Sequence, residues 1–418
     1  MMHNPLVFAQ MQTRKRKRRT ACLCAVCIAL IALLIAAAVG QALCVGESEV
    51  DPETVETLEK YVEENLSDLD LSGLESWMAD LDGQYRILFD ATLADTLRSV
   101  LAGTYEGGYA KFTAIVFGSL GGLFTQILPM LISMIAIAIV FSIMQSLTSG
   151  FLSAQTKEII YFVCYSSILV ILLTQIAGLV KMTVYTVGRM QSLMELAFPI
   201  LVTLITILGG VSTSAVFRPM MSVLTTSISM LITKLVLPMF IAIIVFCVIS
   251  NLTKHVKLEQ ITKFFHSSVK FVLGGVFGLF ITFLSFQGLT GNITDSISIK
   301  TAKFALQSYI PILGGYLSDG FDLVMASVVL IKNAFGFVVL FLLLGCIIVP
   351  VLKILIFSLG LKLVSGIIEP IADSRMSKIL YGVSKNMSLL AVAIAGVGFL
   401  FLITVMLVIY TCNFGMGV

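Results

Sequence analysis

The chain has 418 residues, of which 58% are hydrophobic and 12% charged, with a net charge of +3. A soluble domain carries about 45–50% apolar and about 25% charged residues, so these polar side chains are too few to cover a globule of this size. Mean hydropathy of +1.02 makes the bilayer the fitting solvent.

In chain order, residues 1–20 form a basic N-terminus whose run Arg14 to Arg19 is unbroken cation. Because an apolar stretch follows, the run reads as the cytoplasmic anchor of a membrane segment and not as a nucleic-acid arm. Residues 21–46 are either an export signal, with the small-x-small tripeptide Gly40-Gln41-Ala42 as cleavage site, or a retained transmembrane anchor. Residues 47–110 are the one soluble-looking stretch. Residues 47–106 alone hold 16 of the 24 acids against Lys60, Arg86 and Arg98. Apolar stripes at Val55, Leu58, Tyr61, Val62 and Leu66, and again at Leu88, Leu93, Leu97 and Leu101, predict short amphipathic helices. Some 60 residues make a marginal core, so this acidic region is expected to pack on a partner or on the membrane face.

Residues 111–418 are a multi-span membrane domain. Spans are predicted at 127–148, 159–180, 230–250, 271–290, 335–358 and 387–411. The segments 199–217 and 310–332 are apolar but rich in Gly, Ser, Thr and Pro, and fit extra spans, re-entrant hairpins or interfacial helices. The cations at 14–19 place the N-terminus in the cytoplasm and the acidic region outside. The fold class is therefore an all-α polytopic membrane protein, with tandem transmembrane hairpins and a small helical acidic extracytoplasmic domain.

An internal repeat is suggested by IVFSIMQSLT at 139–148 and IVFCVISNLT at 244–253. Pro129, Pro238 and Pro350 each precede a short basic loop, at Lys157, Lys263 and Lys378, by 28, 25 and 28 residues. The unit is a proline-bearing span, an inner loop and a returning span, about three times over in one orientation, unlike the inverted repeats of many transporters.

Catalytic chemistry is not visible. The chain has no P-loop for a nucleotide phosphate, no HExxH and no GxSxG. Its histidines, His3, His255 and His266, are scattered, and the last two read as surface residues of one basic loop. No catalytic, cofactor-binding or metal residue is assigned, and the chain is read as a non-enzyme. Gly118 with Gly122, and Gly274 with Gly278, are GxxxG pairs, which let helix backbones approach in lipid, within the chain or toward a partner or second copy. Pro129, Pro238 and Pro350 are expected to start or kink helices. Arg218, Lys234 and Lys353 are intramembrane or interfacial charges, functional or simply snorkelling.

The stretches ELAFPILVTLITILGGVSTSAVFRP at 195–219, KLEQITKFFHSSVKFVLGGVFGLF at 257–280 and IIEPIADSRMSKILYGVSK at 367–385 resemble the stage III sporulation protein AE family of endospore-forming bacteria. The resemblance implies a multi-pass protein of the mother-cell membrane around the engulfed forespore, within a channel or secretion-like complex. Its partners would be other membrane subunits, ring-forming subunits and a separate ATPase. The expected role is an export-gate, channel or scaffold subunit. The alternative is an autonomous transporter or exporter of a small solute, motivated by the hairpin repeat and the hydroxyl-rich 209–218.

Overall fold

The structure is a computed structural model and describes residues 60–66, 69–80, 92–101, 108–147, 154–252, 258–309, 314–372 and 374–411. The basic N-terminus 1–20, the signal or anchor 21–46 and part of the acidic region lie outside the described residues. Among the described residues every regular element is helical. After a short helical stretch at 60–66 come α1 (Ser72–Ala79), α2 (Leu93–Leu101), α3 (Gly108–Leu147), α4 (Ala154–Ile207), α5 (Val211–Leu231), a π-turn (Ile232–Val236), α6 (Leu237–Leu252), α7 (Glu259–Tyr309), α8 (Gly314–Ile368) and α9 (Ser374–Tyr410).

Six helical runs are long and apolar enough to cross a membrane: Phe117–Ser146, Glu158–Ile207, Val211–Asn251, Glu259–Ser285, Gly320–Ile368 and Ser374–Tyr410. The protein is an all-α polytopic membrane protein. Several helices outrun the bilayer. The 54 residues of α4 reach about 80 Å at 1.5 Å per residue, against a hydrocarbon core of about 30 Å. Segment 199–217 is therefore not a separate span: it closes α4 and opens α5. The Gly210 N–H donates to the Ile205 carbonyl at 2.9 Å and the Gly209 N–H to the Thr206 carbonyl at 3.0 Å, with Gly209 at φ 78°. That is a Schellman stop, and only a residue without Cβ takes this backbone cheaply. Likewise 314–332 is the first part of α8, while 310–313 lies outside the described residues.

The prolines do not begin new helices. Pro129 and Pro350 sit inside α3 and α8, and Pro238 is the second residue of α6, joined to α5 through the π-turn. A helical proline removes one N–H and its ring crowds the carbonyl four residues back. At Pro238 the turn ahead widens to absorb this: the Leu237 N–H reaches the Ile232 carbonyl, five residues back.

The directions of the long helices follow from their contacts. Ser358 meets Ser384 and Ser365 meets Ser377, so α8 and α9 are antiparallel. His266 meets Asn386 and Phe277 abuts Gly396, so α7 runs with α9. Gln126 meets Lys353 and Leu131 abuts Gly360, so α3 runs with α8. The core lies on α8 and α9: 72% and 56% of their most apolar stretches are buried, against 22–39% in the other spans. Outside that core many of the exposed side chains are large and apolar, including Ile139 and Ile143 on α3, Phe162 and Val163 on α4, Val245 and Ile249 on α6 and Phe271 on α7. On a water-soluble protein such a belt would drive aggregation; here it is the surface lipid covers.

Candidate functional site

Among the described residues no group of three or more His, Cys, Asp or Glu side chains comes together. What the helices build is a polar and small-residue seam between α8 and α9, with a second polar junction where the acidic helices dock.

The seam starts with four serines, each seven residues from its neighbour on the same helix. The Ser358 hydroxyl donates to the Ser384 carbonyl at 2.9 Å, and the Ser384 hydroxyl returns a bond to the Ser358 carbonyl at 3.0 Å. Ser365 and Ser377 repeat the exchange at 2.9 and 3.0 Å. All four are buried. A seven-residue spacing returns a side chain to nearly the same face of a helix, so one stripe on each helix suffices. Small hydroxylated side chains let the backbones approach, and each hydroxyl finds an acceptor where water cannot reach. Alanine at Ser358 removes one donor and no packing, and is expected to cost under about 1 kcal/mol; leucine there separates the backbones and should cost several times more. Thermal unfolding in detergent distinguishes the two.

Glycines of these same helices receive the neighbours. A methyl group placed at Gly360 would lie 2.7 Å from Leu131 of α3, and one at Gly382 would lie 2.7 Å from the Cys247 sulfur of α6. At Gly396 it would meet the Phe277 ring of α7; at Gly398, Ile347 of α8 and, at 3.5 Å, Met190 of α4. Gly336 of α8 is closed by Ile409 of α9 in the same way. The GxxxG glycines behave oppositely. Gly118, Gly122, Gly274 and Gly278 are exposed, and a methyl group at any of them meets nothing within 4 Å. Among the described residues nothing packs against them.

At the far end of the seam Lys332 is fully buried, and its ammonium donates to the Thr411 carbonyl at the end of α9. The last carbonyls of a helix lack backbone donors and carry partial negative charge, so a cation there satisfies both needs. At the opposite end an aromatic group links four helices. Phe141 and Tyr161 stack edge-on at 6.0 Å, the Tyr165 hydroxyl donates to the Val248 carbonyl at 3.2 Å, and the Arg375 guanidinium sits 3.8 Å over the Tyr161 ring. His266 corrects the surface reading. It is half-buried on α7 and shares a 3.0 Å hydrogen bond with the buried Asn386 of α9, because a helix long enough to run on from the basic loop carries it into the bundle.

The cations singled out from sequence are peripheral. Arg218 is exposed on α5, Lys234 is exposed on the π-turn, and neither has a polar partner among the described residues. Lys353, half-buried on α8, reaches the Gln126 side-chain oxygen of α3 at 3.5 Å. The structure does not bring the three together.

The organising cation is Arg189, about two-thirds of the way along α4. Its guanidinium donates to the Asp80 carboxylate at 2.7 Å and the Trp77 carbonyl at 3.0 Å, and lies 4.4 Å over the Trp77 ring. One side chain thus caps the C-terminal end of α1, pairs with its last acid and stacks on its aromatic. Leu74 and Trp77 of α1 are buried, and Gly73 fits beside Leu196. Asp70 accepts from the Ser72 hydroxyl at 2.5 Å and its N–H at 3.2 Å, which starts α1 and holds the Asp70 carboxyl below its ordinary range. Thr92 caps α2, its hydroxyl oxygen accepting from the Asp95 N–H at 3.3 Å while its hydroxyl donates to the Asp95 carboxylate at 2.5 Å, and Leu93 and Leu97 are buried. Arg98 ties α2 to Glu63 at 2.9 Å, and Asn65 reaches Ser327 of α8 at 3.4 Å. The described part of the acidic region is therefore a set of short helices packed on α4 and α8.

The family profile described as stage III sporulation protein AE matches residues 92–412, more than three-quarters of the chain. The chain belongs to that family. It is also similar to the stage III sporulation protein AE of Bacillus subtilis (strain 168), at 23% identity over 393 residues, covering 93% of this chain and 98% of that protein. No solved structure matches. The matched region takes in α2 and all six membrane-length helices, so the seam and its glycines lie within it. Nothing in the sequence singled out the seam serines, Lys332, Arg189 or Trp77. The equal spacing of Ser358 with Ser365 and of Ser377 with Ser384 was the available signal.

Proposed function

We propose that this AE-family member is a non-enzymatic scaffold or gate subunit of the channel or secretion-like complex between mother cell and forespore, in the mother-cell membrane around the forespore. Membership of the AE family carries the reading. Two observations support it. The bundle has a tightly buried core at the α8–α9 seam, as suits a rigid subunit that others assemble on. The docked acidic helices leave Glu63, Glu64, Glu75 and Asp95 exposed, a surface for partner proteins. A separate ATPase and ring-forming subunits would supply energy and the passage. Affinity purification from sporulating cells, staged by engulfment, tests the proposal. Recovery of further subunits of the complex is expected, and its loss on changing Glu64 and Glu75 to glutamine, which leaves the Arg98 ties to Glu63 and Asp95 in place. A protein that always purifies alone refutes the reading.

A further inference from the structure

On the outer side of the seam the hairpin of α8 and α9 carries a compact group of cations that its packing does not use. Each residue of a helix advances by roughly 100°. Counted forward from the seam serines, Leu359, Lys362 and Leu363 of α8 lie roughly 40–160° around, and Lys378, Tyr381 and Lys385 of α9 roughly 40–120° around. In an antiparallel pair, equal turns in the same sense bring residues of both helices onto one face, because the two-fold axis that exchanges the helices passes through that face. All six residues are exposed, Leu359 at 65% and Leu363 at 57%. With Ser358 opposite Ser384 and Ser365 opposite Ser377, Lys362 falls between the heights of Lys378 and Tyr381. Three ammonium groups thus fall on one patch; none makes a direct ion pair among the described residues, and Lys385 alone is within longer electrostatic range of an acid, Glu259. Among the described residues the acids at this end of the bundle are Glu158 and Glu369, both exposed, and Glu259, held by Lys263 at 2.8 Å and within electrostatic reach of Lys385.

We propose that this face is a binding site for an anionic phospholipid, its phosphate among Lys362, Lys378, Lys385 and the Tyr381 hydroxyl and its acyl chains along Leu359 and Leu363. Exposed leucines beside the lysines decide between a lipid and an acidic protein. At the same end of the bundle Ile143, Phe162, Ile249 and Ile261 are exposed too, so this level meets hydrocarbon and headgroups. A lone lysine near a headgroup only snorkels; three with a tyrosine discriminate net charge.

The test uses the full-length protein in mild detergent with equimolar phosphatidylglycerol and phosphatidylcholine, reading the lipids retained by native mass spectrometry. The wild type should retain phosphatidylglycerol at least roughly tenfold over phosphatidylcholine, each lysine contributing up to roughly fivefold. K362Q/K378Q/K385Q should fall to near parity, the three single glutamine variants to intermediate values, and K362R/K378R/K385R should keep the preference. Arg218→Gln with Lys234→Gln should change nothing. Absence of preference in the wild type overturns the proposal, as does a preference that survives in any folded glutamine variant unchanged. Lysine-dependent cross-linking to an acidic protein without lipid preference also overturns it and assigns the face to that partner.

Discussion

Replacing Arg189 with alanine is expected to shift the fluorescence of the protein to the red. The chain has a single tryptophan, Trp77, and it is 6% exposed beneath the Arg189 guanidinium. Emission from the whole protein therefore reports whether α1 is docked. Arg189 supplies two charge-assisted hydrogen bonds and one ring contact. Charge-assisted bonds contribute roughly 1.5–3 kcal/mol each when buried, and an exposed cation–π contact about 0.5–1 kcal/mol. Asp80 is 79% exposed, so water screens its share. A net loss of about 2 kcal/mol is expected, which moves the docking equilibrium roughly thirtyfold toward release. Asp80→Asn should have a much smaller effect, because the Trp77 carbonyl and ring still hold the guanidinium. Arg189→Lys should fall between, since an ammonium lacks the planar fork that reaches carboxylate and carbonyl together. Limited proteolysis provides a second readout: the alanine variant should be cut faster between residues 60 and 101. Unchanged emission and unchanged cleavage would show that α1 docks without Arg189.

The second large effect is expected at glycines that carry no GxxxG signature. Alanine at Gly396 pushes a methyl group into the Phe277 ring, and alanine at Gly398 pushes one into Ile347 with Met190 behind it. Overpacking of this kind costs about 1–3 kcal/mol per site. Each variant should unfold several degrees earlier in detergent, and the double variant earlier still, because the two sites admit side chains of different helices, α7 and α8. Alanine at Gly118, Gly122, Gly274 or Gly278 meets open space and removes a glycine from an exposed helix, a change that is neutral or favours the helix by up to about 1 kcal/mol. Its consequence, if any, belongs to assembly with another molecule and not to the stability of the isolated chain. The account fails if the GxxxG variants are the destabilised ones and Gly396→Ala and Gly398→Ala are silent.

The contrast between the two glycine sets shows what sequence can and cannot convey here. GxxxG records that a helix face is small; it does not record whether a bulky side chain arrives opposite. Gly396 is tight because Phe277 lies across from it, 119 positions earlier in the chain, and that pairing exists only once α7 and α9 are side by side. Lys332 is another case. In VVLIKNAFG it reads like any lysine near a membrane edge, and its meaning comes from Thr411 at the end of another helix. By contrast, the apolar stretches at 127–148, 230–250, 335–358 and 387–411 fall on helices α3, the α5–α6 run, α8 and α9, because a bilayer's demand for internally bonded backbone is met by composition alone. Pro129, Pro238 and Pro350 suggested helix starts or kinks, whereas the helical runs carry on through them, and Ala154–Ile207 likewise runs on through Pro199. The basic loops and acidic region were legible as charge. The docking of that region through Arg189 was not, since Arg189 lies in the polar half of α4 that separates two apolar stretches.

A clean deletion in the bacterium that encodes the protein, complemented by the intact gene, tests the sporulation assignment most directly. Vegetative growth and heat-resistant spores are scored separately. Normal growth, engulfment completed and heat-resistant spores lost by several orders of magnitude is the predicted result. Normal spore yield, or a growth defect confined to a particular medium, would contradict it and point to autonomous solute transport instead.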